Sequence, residues 1–85
     1  MRSFMDDLKK AIRRALVSRF GVRVPVDDDT QLFSRGLIDS LNVVELVTFV
    51  EEELGRQIPP VDITIENFDS INRIVRFAGK LGGPA

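Results

Sequence analysis

Ser40 sits between Asp39 and Leu41, where a loop gives way to an apolar and acidic helical pattern, and its hydroxyl is the one in this chain best placed for chemistry. Absences limit what that chemistry is: the sequence has no His, Cys, Trp or Tyr. A serine nucleophile usually needs a neighbouring base such as His, a zinc site usually needs Cys or His, and a disulfide framework needs Cys. The carboxylates and lysines are scattered, with no paired arrangement for acid–base work, so an enzyme has little support. Any thiol chemistry must come from an attached group. A serine in front of a helix is more often just a cap. Here Asp39 already supplies the cap, which leaves the Ser40 hydroxyl to project outward.

The elements that position Ser40 follow from apolar spacing. Ser3 followed by Asp6 marks a helix start, and Phe4, Leu8, Ala11, Ile12, Ala15, Leu16 and Phe20 recur at helical intervals, which predicts a first helix over about 3 to 20 closed by Gly21. Residues 21 to 38 favour no regular element, given Gly21, Pro25, Asp27 to Asp29 and Gly36. A loop that long is expected if Val24, Val26, Leu32 and Phe33 pin it to the body, with one helical turn at Leu32 and Phe33, and pinned loops are more often functional than idle.

The second helix is expected from Leu41 to Leu54, capped by Asp39 and ended by Gly55. On a wheel, Val43, Leu46, Val47, Val50 and Leu54 share a core face. Leu41, Val44, Glu45 and Thr48 share another that runs on from Ser40. Pro59 and Pro60 break the chain. Val61 to Phe68 alternates like a strand but has no partner strand, so it is read as a loop with a short helix. Asp69 or Ser70 caps a final helix with the stripe Ile71, Ile74, Val75, Ala78 and Leu81, flanked by Phe77, ending at Gly82 before a frayed tail. The expected fold is all-α: a small antiparallel bundle of three main helices plus one short helix, with a long first loop, in one domain over residues 1–85 that is ordered from about 3 to 81.

Composition agrees with a small globular unit. With 85 residues, 44% hydrophobic and 29% charged, the chain is large enough for one core but not for a deep active site, and it lacks the signature of disorder. No apolar run approaches the roughly 20 residues that cross a bilayer, and Asp6 and Asp7 interrupt the N-terminus where a signal peptide would be apolar, so a cytoplasmic location without membrane binding is expected. The net charge of −1 hides three blocks: residues 1–23 carry seven bases and two acids, residues 24–72 two bases and eleven acids, and residues 73–85 three bases and no acid. The acidic middle favours basic protein surfaces and disfavours nucleic acid.

The run Gly36-Leu37-Ile38-Asp39-Ser40-Leu41 with its acidic-apolar helix resembles the modification motif of the acyl and peptidyl carrier proteins. The resemblance covers roughly residues 4 to 81. It includes the early amphipathic helix, the Asp-rich loop with Leu32 and Phe33, the Val-Glu-Leu at Val44 to Leu46, the Glu51 to Glu53 run and Ile58-Pro59. It implies an acyl carrier protein-like fold. It also implies that a phosphopantetheinyl transferase moves 4'-phosphopantetheine from coenzyme A onto Ser40, with Asp39 and Leu41 flanking the attachment. The thiol then holds acyl or aminoacyl cargo as a thioester for biosynthesis, between a loading ligase and a downstream acyltransferase or synthase. The chain would be a monomer that catalyses nothing by itself. The Gly-Leu-Ile-Asp-Ser form looks more like carriers of aminoacyl or short acyl groups than the fatty-acid type, from which Asn42 also departs. A helix N-terminus suits a phosphodiester on Ser40, and a chain without Cys offers no competing thiol.

Glu51, Glu52 and Glu53 occupy the negative end of the second helix, where each acid should cost about 0.3 to 1 kcal/mol, so local stability does not explain them. They are either a solvated face partly neutralised by Arg56, or, with Asp39 and Glu45, a charge that steers basic partners toward Ser40. The expected docking set is Leu41, Val44, Glu45, Thr48, Glu51 and Glu52. Phe49 and Phe68 either border the groove followed by the arm or complete the core, with the core favoured. The basic block Lys9, Lys10, Arg13, Arg14, Arg19 and Arg23 is read as a solvated face paired with Asp27 to Asp29 in preference to a nucleic-acid site, which would want interleaved aromatics. The competing reading is an unmodified helical interaction module that binds a protein through the acidic second helix.

Overall fold

A computed structural model describes residues 3–82. Helix α1 spans Phe4–Ser18, and the Ser3 hydroxyl caps it by accepting the Asp6 N–H at 3.0 Å. Leu8, Ile12, Ala15 and Leu16 are its buried face, with Phe4, Ala11 and Phe20 packed at the margin. A single 3-10 turn, Ser40–Asn42, leads directly into α2, Val43–Leu54. The expected helix from Leu41 therefore begins with tighter 3-10 geometry. Gly55, at φ 69°, ends it in the left-handed conformation that glycine adopts without a Cβ penalty. A second 3-10 turn at Pro60–Asp62, the short α3 at Ile65–Phe68 and then α4 at Ile71–Lys80 complete the order. No strand occurs among the described residues, so the alternation across 61 to 68 is the rim of a loop and one short helix.

The bundle closes on the three expected stripes. Leu46, Val47, Val50 and Leu54 of α2, together with Ile71, Ile74, Val75 and Ala78 of α4, are all buried, and α1 and α3 pack against α4. Phe68 and Phe77 meet with ring centroids 5.8 Å apart, in a tilted arrangement that suits the ring quadrupoles. The expected fraying of the tail beyond Gly82 lies outside the described residues.

The long loop differs in detail. Leu32 is fully buried, and Val26 and Phe33 pack at the margin, but Val24 is 52% exposed. Val22 and Ile38 supply the pins that Val24 does not. Leu32 and Phe33 form no helical turn. The chain instead reverses between Phe33 and Gly36, with the Gly36 N–H on the Phe33 carbonyl at 3.1 Å.

Candidate functional site

Asp39 begins the site. Its backbone is extended, its side chain accepts the Leu41 N–H at 3.0 Å, and its carbonyl accepts the Asn42 N–H at 2.8 Å. The cap being filled, Ser40 is exposed, and neither its hydroxyl nor its N–H hydrogen-bonds to another described residue. Gly36 lies four residues before Ser40, at φ 74°, with open space where a Cβ would stand, so the requirement there is backbone conformation. Beyond it, Ile38 buries its side chain and donates its N–H to Leu32 at 3.0 Å, which fixes the approach to Asp39.

The loop is held from behind by Asp69. This carboxylate is 1% exposed and accepts the Phe33 N–H at 2.8 Å, the Ser34 N–H at 3.0 Å and the Ser34 hydroxyl at 2.6 Å. Burial works to raise its pKa, yet the Ser34 and Phe33 hydrogen bonds and the charge of Arg73 prevail and hold it below the ordinary value. Capping of α4 falls to Ser70, whose hydroxyl accepts the Arg73 N–H at 3.1 Å. Sequence reasoning left the cap open between these two residues and did not anticipate the role of Asp69, because the partners lie more than thirty positions away.

One recess reaches Ser40, and another lies farther along α2. A groove of about 150 Å³ is lined by Phe33, Ser40, Val43, Ile63, Ile65 and Phe68. A wider one of about 330 Å³ runs along α2 past Val44, Val47, Thr48, Glu51 and Ile58. Phe68 is therefore both core and groove wall. Phe49 is buried away from the groove, against α1, with the Arg19 guanidinium 5.1 Å from its ring centre.

Leu41 is 85% and Val44 71% exposed, as the wheel requires, and Glu45 and Thr48 share their open face. Val61, at 82%, and Ile65, at 50%, add apolar surface from the far side. Both belong to the alternation across 61 to 68, which as a loop and short helix was assigned no face. Thr48 turns its hydroxyl to the Val44 carbonyl at 2.9 Å. Glu51 is half-buried, and one carboxylate oxygen accepts the Ile58 N–H at 2.7 Å, so its charge also ties down the chain after α2. Arg56 does not neutralise Glu52 or Glu53; it reaches the Leu81 carbonyl at 2.9 Å. In the basic block, Lys9 pairs with Asp28 at 3.3 Å, and Arg13 bridges Asp28 and the Val26 carbonyl, as the paired-face reading expects.

A family described as the phosphopantetheine attachment site matches residues 10–78. The chain belongs to this family of phosphopantetheine-binding carrier proteins. D-alanyl carrier protein 1 of Lactiplantibacillus plantarum is 30% identical over 71 residues, covering 84% of this chain and 89% of that protein. The D-alanyl carrier proteins of Enterococcus faecalis, 38% identical over 50 residues, and Abiotrophia defectiva, 35% over 54 residues, cover 59% and 64% of this chain. They span 64% and 68% of those proteins.

As a member of the family, the carrier bears covalent 4'-phosphopantetheine, is not itself a catalyst, and works with a phosphopantetheinyl transferase and a ligase. An exposed, unbonded hydroxyl beside an apolar groove fits that group. No helix among the described residues is long and apolar enough to cross a membrane.

Proposed function

We propose that Ser40 is the attachment point, and that the carrier presents a small aminoacyl or short acyl cargo, D-alanine by likeness to its relatives. The observation that carries this reading is the division of labour between Asp39, which fills the cap, and Ser40, whose hydroxyl is exposed and unbonded. Asp39 turns its Oδ1 to the Leu41 N–H, and no acid or base among the described residues hydrogen-bonds the Ser40 hydroxyl, so the transferase is left to accept its proton. The uncommitted Ser40 N–H and the positive end of the helical run favour the negative charge of a phosphodiester. Once attached, the group supplies the thiol that holds cargo as a thioester.

Small cargo suits the interior. Leu46, Val50 and Phe68 are fully buried, and the adjacent groove is about 150 Å³, with room for part of an arm or a short acyl group at the surface. Docking falls to Leu41, Val44, Glu45, Thr48, Glu51 and Glu52, with Val61 and Ile65 opposite. Apolar contacts there supply affinity and the acids supply steering, for the transferase, the ligase and a downstream acyltransferase or synthase. The carrier acts as one domain and as a monomer. Within the basic block, Lys9 and Arg13 pair with Asp28 and Arg19 lies over Phe49, which weighs against a nucleic-acid site on that face.

Intact-mass spectrometry after incubation with coenzyme A and a promiscuous transferase tests the assignment. One phosphopantetheine on the wild type and none on Ser40→Ala is expected. A wild type that gains no mass would favour the unmodified interaction module. Glu45→Lys should slow loading by about tenfold at low salt and by less at high salt. Unchanged loading rates would remove Glu45 from the docking surface.

A further inference from the structure

A second cleft, of about 390 Å³, opens where the turn at Arg35 meets the start of α4, and its walls include Thr30, Gln31, Arg35, Ser70, Arg73 and Arg76. Arg35 is one of only two bases between residues 24 and 72, and the fold carries it to the two arginines that open the basic C-terminal block. Gathering three guanidinium groups is unfavourable unless something answers them. Arg73 makes one long bond to the Glu66 carbonyl, at 3.4 Å, and its charge also acts on the buried Asp69, while the side chains of Arg35 and Arg76 have no hydrogen bond or ion pair with any described residue. Asp29 is the one acid in the lining; its Oδ1 accepts the Asn72 amide at 2.7 Å, and its charge answers only part of the cluster.

The neutral walls are donors as well. The Thr30 hydroxyl accepts the Asp27 N–H at 2.8 Å and the Ser70 hydroxyl accepts the Arg73 N–H at 3.1 Å, which leaves each O–H proton uncommitted. Three guanidinium groups and two hydroxyl donors suit a group that only accepts hydrogen bonds and carries more than one negative charge. Arg35 and Arg76 leave two guanidinium forks open, which the several oxygens of a phosphate group engage more fully than a single carboxylate does.

We propose that this cleft binds a multiply charged phosphate group, at a site separate from Ser40 and independent of its loading. The chemistry is shared by soluble phosphorylated compounds and phospholipid headgroups.

The test follows amide resonances of the ¹⁵N-labelled full chain at constant ionic strength, in one arm with inorganic pyrophosphate, in another with vesicles containing phosphatidic acid, and with acetate as control. We expect saturable shifts confined to residues 29–31, 35 and 70–76, with a dissociation constant on the order of 1 mM or tighter, weakened at least about tenfold in Arg35→Ala/Arg76→Ala. Both positions are exposed, so the variant should fold, with a spectrum otherwise unchanged, and its Ser40 loading should equal wild type. A response to pyrophosphate identifies a soluble source, and a response to the vesicles alone identifies a headgroup; either supports the site. Shifts that fail to saturate in both arms, spread over Lys10 and Arg14, match those from acetate, or persist in the double variant would overturn it.

Discussion

The dipeptide Asp-Ser occurs twice, each time before an aliphatic residue and a helix, and the two copies exchange roles. At Asp39-Ser40 the aspartate caps and the serine faces solvent. At Asp69-Ser70 the serine caps, and the aspartate is buried as the anchor of a distant loop. The difference is one residue of register. Asp39 is extended, at φ −68° and ψ 137°, and so stands at the cap itself. Asp69 still has helical backbone, at φ −80° and ψ −4°, because it closes α3 with its N–H on the Ile65 carbonyl, and the cap passes to Ser70. In this chain the serine in front of a helix is left exposed where its predecessor has taken the cap, and is buried where it must cap the helix itself.

The largest effect should come from the buried aspartate. Asp69→Ala leaves the Phe33 and Ser34 N–H groups without their charged acceptor, and we expect a loss of about 3 kcal/mol in urea denaturation. A loss below about 1 kcal/mol would show that the two aspartates do not differ in kind. The same contrast has a pH signature. Asp69 has its pKa lowered on folding, so its contribution is complete above the unfolded value of about 3.9 and drains away as pH falls through the lower folded value. Asp69→Asn should flatten the acid branch of the stability profile.

Smaller effects separate the caps. Asp39→Ala and Ser70→Ala should each cost about 1 kcal/mol, since each removes the acceptor of a helix-start N–H. Thermal unfolding checks both. Smallest of all, Ser40→Ala should change stability by less than about 0.5 kcal/mol, because the hydroxyl holds nothing. A loss near that of Ser70→Ala would make Ser40 a structural cap after all.

Much of this was legible beforehand. The stripes of α1, α2 and α4 follow from helical spacing, and the exposure of Leu41 and Val44 follows from the same wheel that buries Leu46 and Val50. Asp39 and Ser40 were readable because cap and hydroxyl are adjacent in the chain. What escaped depends on contacts beyond a single helical turn, from seven to thirty-six residues apart. Asp69 with Phe33 and Ser34, Arg56 with Leu81, and Glu51 with Ile58 each use a side chain that local pattern assigns to solvent or to a neighbouring charge. Val24 was misplaced because an apolar residue in an aperiodic loop carries no phase, and Val22, two positions earlier, took the core site. Val61 and Ile65 escaped because the alternation they share with Ile63 was read as a loop and short helix, with no face assigned.

The two dipeptides can be set against each other in one measurement. Trypsin cleaves after Arg35, Arg56 and Arg73, so Ser40 falls in peptide 36–56 and Ser70 in peptide 57–73. In the phosphopantetheinylated protein, fragment-ion sequencing should place the whole added mass on Ser40 and leave peptide 57–73 unmodified. Added mass on Ser70, or on a residue of 36–56 other than Ser40, would contradict the claim that a filled cap is what frees the serine for loading.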